Sequence, residues 1–533
     1  MQLTSLFLLA TGLLCATGTS SASVKSPRAA DTFTNPVLYE DYPDNDVSVG
    51  PDGAFYFSAS NFHYSPGAPI LRSLDLVNWE PVGHSIPRLT FGDGYDLPPG
   101  GPRSYRGGTW ASTLRYRKSN GLWYWIGCTN FWVTWVFTAA DVKGPWSNRG
   151  VYGWDGLCMY DNGLLIDDDD TMYVVYGNGK VSVSQLSADG LSVVKTQQVL
   201  QASDVNTETV EGNRMYRING TYYILNDQPG STTYIWKSSS PWGPYQSKIL
   251  VQNVAPPLSG GNSPHQGSLV QTKDGKWYYM SFTWAYPAGR MPVLAPITWG
   301  ADGFPALVTG SNGGWGSTYP MPLPARPLYN WTRTYGFETE LGPTWEWNHN
   351  PDVASYSVGN GVTLKTASVT TDIYSARNTL THRIHGEFPK GTVKIDFSNM
   401  ADGDRFGLAA FRDQTAYVGI YRSGGQYTLK AVHGLIIDEY SGETKSNGTE
   451  VASAAVPGGA KRVWFRTELD ARPTGTRAAN FFYSFDGVSF TKLGPTYELY
   501  TGWAFFIAYR FGIFNYATKA LGGSIKVESF TVA

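Results

Sequence analysis

The clearest pattern along the chain is a polar turn followed by a short run of aromatic and β-branched residues. Asn-Gly and Asp-Gly turns favour hairpins, and the residues that follow suit packed strands. The pattern recurs at intervals of roughly 50 to 70 residues, about the length of a four-stranded propeller blade. Its five copies begin at Asp52, Asn120, Asp170, Asn219 and Asp274. The pattern therefore predicts a five-bladed β-propeller over residues 30–325.

A second, weaker repeat supports this interpretation. Asp75-Leu-Val-Asn-Trp, Asp141-Val-Lys-Gly-Pro-Trp and Ser240-Pro-Trp-Gly-Pro-Tyr each follow an apolar strand, and we expect them to be turns near the outer strands of the blades. Coincidence among the turns of one large β-sandwich is the alternative. No stretch of useful length has the 3.6-residue period of a helix, so the predicted class is all-β.

The sequence pattern changes after the fifth repeat. Met321-Pro-Leu-Pro-Ala-Arg-Pro is a proline-rich connector, which is extended because proline fixes φ and removes donors. Beyond it, short alternating strands such as Thr392-Val-Lys-Ile-Asp-Phe are separated by glycine-rich turns. We predict a β-sandwich over residues 335–533.

The N-terminus has the features of a signal peptide over residues 1–22. An apolar stretch from Leu6 to Ala16 precedes Ser20 and Ala22, which have the spacing of a cleavage site. A short membrane anchor is the alternative, although so short a run does not span a bilayer comfortably. We expect a secreted, extracellular, soluble glycoprotein with sequons at Asn219, Asn330 and Asn447.

Two cysteines remain once Cys15 leaves with the signal peptide. Cys128 and Cys158 can form one disulfide in an oxidising compartment, or stay as two buried thiols. Sequence alone does not give the distance that decides between them.

Charge excludes one class of partner. The chain has 41 basic and 43 acidic residues and no long basic run, so we do not expect it to bind nucleic acid. No segment after the predicted signal peptide approaches a transmembrane length, so we expect no membrane partner either. Charged residues are only 16% and aromatic residues 15% of the chain, a neutral, aromatic-rich composition. We expect a monomer.

Three carboxylates occupy equivalent places in separate blades. Asp44, Asp161 and Glu211 each precede the aromatic strand of a blade by about ten residues, so similar blade geometry brings them to the propeller axis. Taken singly, each also fits a solvated turn residue. Hydrolysis of a glycosidic bond needs one carboxylic acid and a second carboxylate that acts as base or nucleophile, and this set can supply both.

An ordered set of motifs makes the chain similar to glycoside hydrolase family 43. Its C-terminal Trp345-Glu-Trp-Asn-His-Asn-Pro-Asp resembles the sandwich domain that accompanies the propeller in several branches. The resemblance covers almost the whole mature chain. The propeller motifs, in order, are Tyr42-Pro-Asp, Phe62-His-Tyr-Ser-Pro-Gly, Asp75-Leu-Val-Asn-Trp, Gly108-Thr-Trp-Ala, Glu211-Gly, Pro264-His-Gln-Gly and Gly289-Arg-Met-Pro-Val-Leu.

The resemblance implies an inverting mechanism and a role for each carboxylate. Asp44 is the expected general base, Glu211 the general acid, and Asp161 the third carboxylate, which holds the acid and raises its pKa. The sequence departs from the family pattern at Asn45 and at Asn162-Gly163, where relatives often have proline and Pro-Ser. The first departure leaves Asp46 as a rival base.

The same resemblance implies residues that bind the sugar and a metal. Arg290 resembles the family arginine that reaches the sugar, with a surface arginine as the alternative. Phe62, Trp110 and Tyr160 are expected to line the pocket, because aromatic faces pack against sugar C–H surfaces, although ordinary blade packing would explain each of them. His265 is a candidate metal ligand in the axial channel, where relatives often carry a structural calcium ion with water ligands; a hydrogen-bonded core histidine is the alternative. The chemistry needs no cofactor.

Among family activities, the chain looks most like the branch that debranches arabinoxylan. The resemblance to this branch lies in the sandwich and in two motif variants, Asp-Tyr-Pro-Asp-Asn-Asp and Met-Tyr-Asp-Asn. It implies an exo-acting α-L-arabinofuranosidase that releases α-1,3-linked arabinofuranose from doubly substituted xylose. A β-xylosidase acting on xylo-oligosaccharides is the main alternative. A non-catalytic carbohydrate-binding propeller and a structural adhesion protein stay open as other classes.

Overall fold

The computed structural model describes residues 31–152 and 158–533. The N-terminal half contains five four-stranded antiparallel sheets, which we number blades 1 to 5 in chain order. The predicted propeller is therefore confirmed. The strands are Asp46–Val49, Phe55–Ser58, Gly67–Ser73 and Trp79–Ile86 in blade 1; Ser112–Arg117, Leu122–Thr129, Val133–Ala139 and Ser147–Tyr152 in blade 2; Gly163–Ile166, Met172–Asn178, Lys180–Leu186 and Val193–Gln201 in blade 3; Glu211–Ile218, Thr221–Gln228, Thr232–Ser238 and Gln246–Gln252 in blade 4; and Gly267–Gln271, Trp277–Trp284, Arg290–Trp299 and Pro305–Leu307 in blade 5.

The five repeated turns all join the first strand of a blade to the second. Asn219 lies in the left-handed region with φ 50°, as a tight hairpin turn requires. The second strands are buried along most of their length because neighbouring blades cover both faces, which explains their continuous aromatic runs. The weaker repeat joins third to fourth strands, as predicted.

The blades form a closed ring. The first strand of each blade contacts the first strand of the next, and that of blade 5 contacts that of blade 1. A short strand, Thr32–Thr34, pairs with Thr318–Pro320 and ties the start of the propeller to its end. The first strands therefore surround the axis, and residues just before them meet at one end of it.

The C-terminal half is a two-sheet β-sandwich, as predicted. Strands such as Lys390–Asp396 alternate buried and partly exposed residues, because only one face of each sheet meets the core. One sheet contains Thr334–Tyr335, Tyr356–Val358, Val362–Lys365, Lys390–Asp396, Arg462–Leu469, Ala478–Ser484, Thr491–Lys492, Tyr497–Glu498 and Ser524–Val532. The other contains Trp345–Asn348, Leu380–Arg383, Asp404–Phe411, Gln414–Ser423, Gln426–Ile437, Thr444–Ala455 and Arg510–Ala517.

The two domains share a sheet. A two-residue propeller strand, Tyr64–Ser65, pairs with Trp345–Asn348 and becomes the eighth strand of the second sandwich sheet. Beside this junction the buried carboxylate of Glu346 accepts hydrogen bonds from Arg383 and Arg510. Both arginines also donate to Oδ1 of Asn61 in the propeller, at 2.8 and 2.9 Å. Breaking such a buried ionic cluster is costly, so the cluster holds the sandwich in a defined place on the propeller.

The helical elements are short 3₁₀ turns at Asp93–Asp96, Ala202–Val205, Val353–Ser355 and Ile373–Ser375. Within the described ranges no helix has the length and apolar character needed to cross a membrane. Cys128 and Cys158 form a disulfide with a Cα–Cα distance of 5.2 Å, which answers the question that the sequence left open. The predicted signal peptide, residues 1–22, lies outside the described residues.

Candidate active site

The three predicted carboxylates stand at the same end of the propeller. Asp44 and Asp161 each lie two residues before the first strand of a blade, and Glu211 is the first residue of such a strand. Because the first strands surround the axis, the three side chains converge on one cavity of about 420 Å³. All eight residues predicted for the site line it, and the full lining is Asp44, Phe62, Trp110, Ala111, Tyr160, Asp161, Glu211, Pro229, Gly230, Asn262, His265, Gln266, Trp284, Arg290, Trp503 and Phe506.

Asp44 is held by two donors at the floor of the cavity. The Ser60 hydroxyl donates to Oδ2 at 2.6 Å, and Arg290 Nη1 donates to Oδ1 at 2.7 Å. Arg290 is itself buried, and its Nε and Nη2 atoms have no partner among the described residues. The guanidinium therefore fixes Asp44, and its Nε and Nη2 atoms are buried. The surface-arginine alternative is wrong for this residue.

Glu211 is mostly buried and contacts Tyr160. The Tyr160 hydroxyl donates to Oε2 of Glu211 at 3.1 Å. Burial and the charge of Asp44 raise the pKa of Glu211, while the Tyr160 hydrogen bond and Arg290 oppose them. The net shift is upward, so Glu211 keeps its proton to a higher pH than an exposed glutamate and is suited to act as an acid.

Asp161 contacts the backbone beside Glu211. Its Oδ2 accepts a hydrogen bond from Gly212 N at 3.0 Å, and its carbonyl accepts one from Asn213 N at 2.9 Å. Burial, followed by the charges of Glu211 and Asp44, raises the pKa of Asp161 well above its ordinary value. Asp161 therefore fixes the start of the strand that carries Glu211.

Two of the carboxylates have left-handed backbones. Asp44 has φ 58° and Asp161 has φ 46°. For a residue other than glycine this conformation costs on the order of 1 kcal/mol, less for Asp and Asn than for other types, and it recurs at functional sites. Arg214 donates to the Asp44 carbonyl at 3.0 Å and helps to hold this conformation.

Asp46, the rival base, is fully buried and does not line the cavity. It accepts hydrogen bonds from Thr113, Leu114 N and Arg115 at 2.6 to 2.8 Å. Burial alone would raise the pKa of Asp46, but Arg115 and Arg214 outweigh burial and hold it below its ordinary value. Asp46 joins blade 1 to blade 2.

Aromatic rings form one wall of the cavity. Phe62 stacks on Phe506 with ring centroids 6.2 Å apart and planes inclined by 8°. Trp110 packs edge-on against both rings, and its indole nitrogen donates to the Arg106 carbonyl at 2.8 Å. Phe62 and Trp110 therefore have packing roles as well as exposure to the cavity.

His265 faces the cavity from the segment before blade 5. Its Nδ1 pairs with the Ser263 carbonyl at 2.9 Å. Burial lowers the pKa of His265 to about 4, so the ring is neutral and Nε2 carries a free lone pair. Calcium prefers six to eight oxygen ligands, and in the described residues no group of three His, Cys, Asp or Glu side chains could hold a metal. His265 and its neighbours therefore do not supply the set of oxygen ligands that calcium prefers, and the calcium ion stays a prediction.

The sandwich supplies two lining residues that the sequence analysis did not name. Trp503 and Phe506 lie on the segment before the strand Arg510–Ala517, and Phe506 has φ 63°. The Arg106 guanidinium lies 4.9 Å from the Phe506 ring centroid. This segment has neither strand alternation nor a turn motif, so no local signal marks it.

Asp227 is a fourth carboxylate that the sequence analysis missed. It pairs in register with Glu211 across the first hairpin of blade 4 and is fully buried. Among the described residues neither of its carboxylate oxygens has a hydrogen-bond partner. Burial, Glu211, Asp161 and Asp44 raise its pKa well above the ordinary value. Plain counting outward from the Asn219-Gly220 turn places Gln228 opposite Glu211, and only the irregular register between Glu211 and Arg214 brings Asp227 there.

Comparison with known proteins decides the family. The model of glycosyl hydrolases family 43 matches residues 33–305, a little over half of the chain. The chain belongs to this family. A beta xylosidase C-terminal concanavalin A-like domain matches residues 335–533. The predicted family resemblance is therefore confirmed, and this family 43 chain is a glycoside hydrolase.

Relatives of this family 43 enzyme carry different activity names. A beta-xylosidase from Formosa agariphila is 28% identical, over 94% of this chain and 90% of the relative. A non-reducing end alpha-L-arabinofuranosidase from Bacteroides ovatus is also 28% identical, over 80% and 83%. A solved structure of a GH43 glycoside hydrolase, engineered to display both endo-xylanase and exo-arabinofuranosidase activity, is 43% identical, with a TM-score of 0.90 over 94% of this chain and 99% of that one.

Proposed function

We propose that this family 43 enzyme is an exo-acting α-L-arabinofuranosidase that releases α-1,3-linked L-arabinofuranose from doubly substituted xylose residues of arabinoxylan. The observation that carries the proposal is the convergence of Asp44, Asp161 and Glu211 on one cavity, to which the sandwich adds a wall through Trp503 and Phe506. A walled cavity suits a single terminal sugar better than an internal stretch of polymer. The 43% identical engineered relative with exo-arabinofuranosidase activity supports the choice of sugar.

In the proposed mechanism one water molecule attacks the anomeric carbon of arabinofuranose. Asp44 takes a proton from this water as the new C–O bond forms, and Glu211 gives its proton to the glycosidic oxygen as the old C–O bond breaks. The products are β-configured arabinose and a xylose residue with a free 3-hydroxyl. Asp161 keeps Glu211 in place through Gly212 N, and Arg290 orients Asp44 and the sugar.

A second candidate is a β-xylosidase. It is favoured by the name of the Formosa agariphila relative and by the match of the C-terminal domain to that of beta xylosidases. The same carboxylates would perform the same chemistry, so the sugar released is the difference between the candidates.

One experiment separates these activities. The protein is incubated with wheat arabinoxylan and with linear xylo-oligosaccharides. Proton NMR identifies the sugar that is released and the anomer that forms first, before mutarotation. We expect arabinose from the polymer in the β configuration, and no product from Glu211→Gln. Xylose from the linear oligomers would favour the second candidate, and release of either sugar with its anomeric configuration retained would contradict the proposed roles. Binding without hydrolysis by the wild type would indicate a carbohydrate-binding propeller.

We also propose that the protein is secreted and glycosylated. The disulfide between Cys128 and Cys158 and the exposure of Asn219, Asn330 and Asn447 support this proposal. Mass spectrometry of the secreted protein, before and after N-glycan removal, tests both points.

A further inference from the structure

The tip of one hairpin in blade 2 is unusual for its exposed aromatic residues. Asn130, Phe131 and Trp132 join the second and third strands of the blade. Phe131 is 53% exposed and Trp132 is 71% exposed. Large apolar side chains that are neighbours and stay exposed contribute less to stability than buried ones and are typical of interaction sites. We call residues 130–132 the blade 2 tip.

In two other blades the same position holds a short turn that contains glycine. In blade 3 the second and third strands are joined by Gly179 alone, and in blade 4 they are joined by Pro229, Gly230 and Ser231. Gly230 has φ 80°, and Phe131, at the middle of the equivalent turn, has φ 60°. Glycine takes this conformation without strain, whereas a bulky aromatic residue does so at a cost. The blade 2 tip therefore keeps an aromatic ring where local stability favours glycine.

The blade 2 tip continues the wall of the cavity. Phe131 stacks on Tyr160 with ring centroids 5.8 Å apart and planes inclined by 19°. It also packs edge-on against Trp110 at 4.9 Å. Since Tyr160 donates to Glu211, a row of rings leads from the proposed acid through Tyr160 to the half-exposed ring of Phe131, and Trp132 follows Phe131 in the chain.

The blade 2 tip is also held rigidly. The Cys128–Cys158 disulfide fixes the end of the strand before it to the segment that carries Tyr160. Asn130 Oδ1 accepts a hydrogen bond from the Tyr95 hydroxyl at 2.6 Å. A binding surface gains affinity when its side chains are ordered before the ligand arrives.

We propose that the blade 2 tip binds xylose residues of the polysaccharide main chain, next to the branch point whose side-chain sugar occupies the cavity. This inference rests on the proposed function and extends it. Flat aromatic faces pack against the C–H surfaces of sugars, and continuity with Tyr160 places the tip where the main chain leaves the cavity. The ligand is therefore a neutral β-linked pentose chain rather than a protein.

The test compares a polymer with a small substrate. In Trp132→Ala we expect KM for arabinoxylan to rise about tenfold, which corresponds to about 1.4 kcal/mol, with kcat unchanged. Hydrolysis of 4-nitrophenyl α-L-arabinofuranoside should stay the same, because Trp132 does not line the cavity. Trp132→Phe should restore most of the polymer KM. Phe388→Ala is the matched control, since Phe388 is 59% exposed but lies against Arg472 in the sandwich.

An unchanged polymer KM, or an equal loss on both substrates, would overturn the proposal. A binding measurement separates its failure from that of the proposed function. In the Glu211→Gln background, electrophoresis through gels that contain debranched xylan should show retardation that Trp132→Ala reduces and Phe388→Ala does not. If the wild type releases no arabinose, the proposed function fails, while the gel result still decides whether the blade 2 tip binds xylan.

Discussion

The hydrogen bond between Tyr160 and Glu211 offers a direct test of the proposed acid. Tyr160→Phe removes only the hydroxyl that donates to Oε2 at 3.1 Å. This bond stabilises the ionised carboxylate and lowers the pKa of Glu211, so its loss should raise that pKa. A hydrogen bond to a charged group contributes about 1.5 to 3 kcal/mol, and one pKa unit equals about 1.4 kcal/mol. Because Glu211 is not fully buried, we expect the lower end, a rise of about one unit.

The assay is the pH dependence of kcat/KM, which reports the pKa values of the free enzyme. The substrate should be an arabinoxylo-oligosaccharide, since its sugar leaving group needs protonation more than nitrophenolate does. A general acid works only while protonated, so activity falls on the basic side as Glu211 ionises. In Tyr160→Phe this basic limb should move to higher pH by about one unit, and the acidic limb should move less.

Tyr152→Phe is the matched control. Tyr152 is buried, its hydroxyl donates to the Gly190 carbonyl at 2.6 Å, and it does not line the cavity. Its removal should lower the thermal midpoint without moving either limb. A basic limb that stays in place in Tyr160→Phe, or that moves to lower pH, would refute the assignment of Glu211 as the acid that Tyr160 controls.

Two further predictions concern the other buried carboxylates. Asp44→Asn should reduce kcat by a factor of about 10² to 10⁴, whereas Asp46→Asn should leave most of kcat. Both variants should lower the thermal midpoint, because each removes the buried counter-charge of an arginine, so kcat is the measurement that separates them; the reverse result for kcat would make Asp46 the base. Asp227→Asn should stabilise the protein more at pH 7 than at pH 4. Burial raises the folded pKa of Asp227, so the wild type loses stability as pH rises above the unfolded value of about 4, by about 1.4 kcal/mol for each unit of the shift. The thermal midpoints of the wild type and Asp227→Asn at pH 4 and pH 7 measure this stabilisation. An equal change in midpoint at the two pH values would contradict the prediction.

Much of the propeller could be predicted because its signals are local. The Asn219-Gly220 turn and the aromatic residues after it specify one hairpin within about ten residues of chain, and five copies at regular intervals specify a repeated unit. The place of Asp44 and Glu211 follows from the same regularity, because each lies at or just before the start of the first strand of its blade. The sandwich was predicted from alternation in strands such as Lys390–Asp396.

The residues that complete the site could not be predicted in this way. Trp503 reaches the cavity only because a segment of the sandwich packs on the propeller, and no periodicity marks it. That Asp44 rather than Asp46 faces the cavity depends on which side of the first strand meets Arg115 in the next blade. The exposure of Trp132 likewise depends on how blade 2 sits in the ring.

The sequence by itself thus determined the elements, their order and the chemistry that three carboxylates can perform, since turn propensity and hydrophobic period act between near neighbours. Only the tertiary structure decided which side chains share the cavity, which cysteines bond, and that Tyr64–Ser65 joins a sheet of the other domain. Those outcomes depend on contacts between residues that are from 30 to several hundred positions apart. Such contacts form when apolar faces are buried together, and no local pattern records the partner that each face will meet.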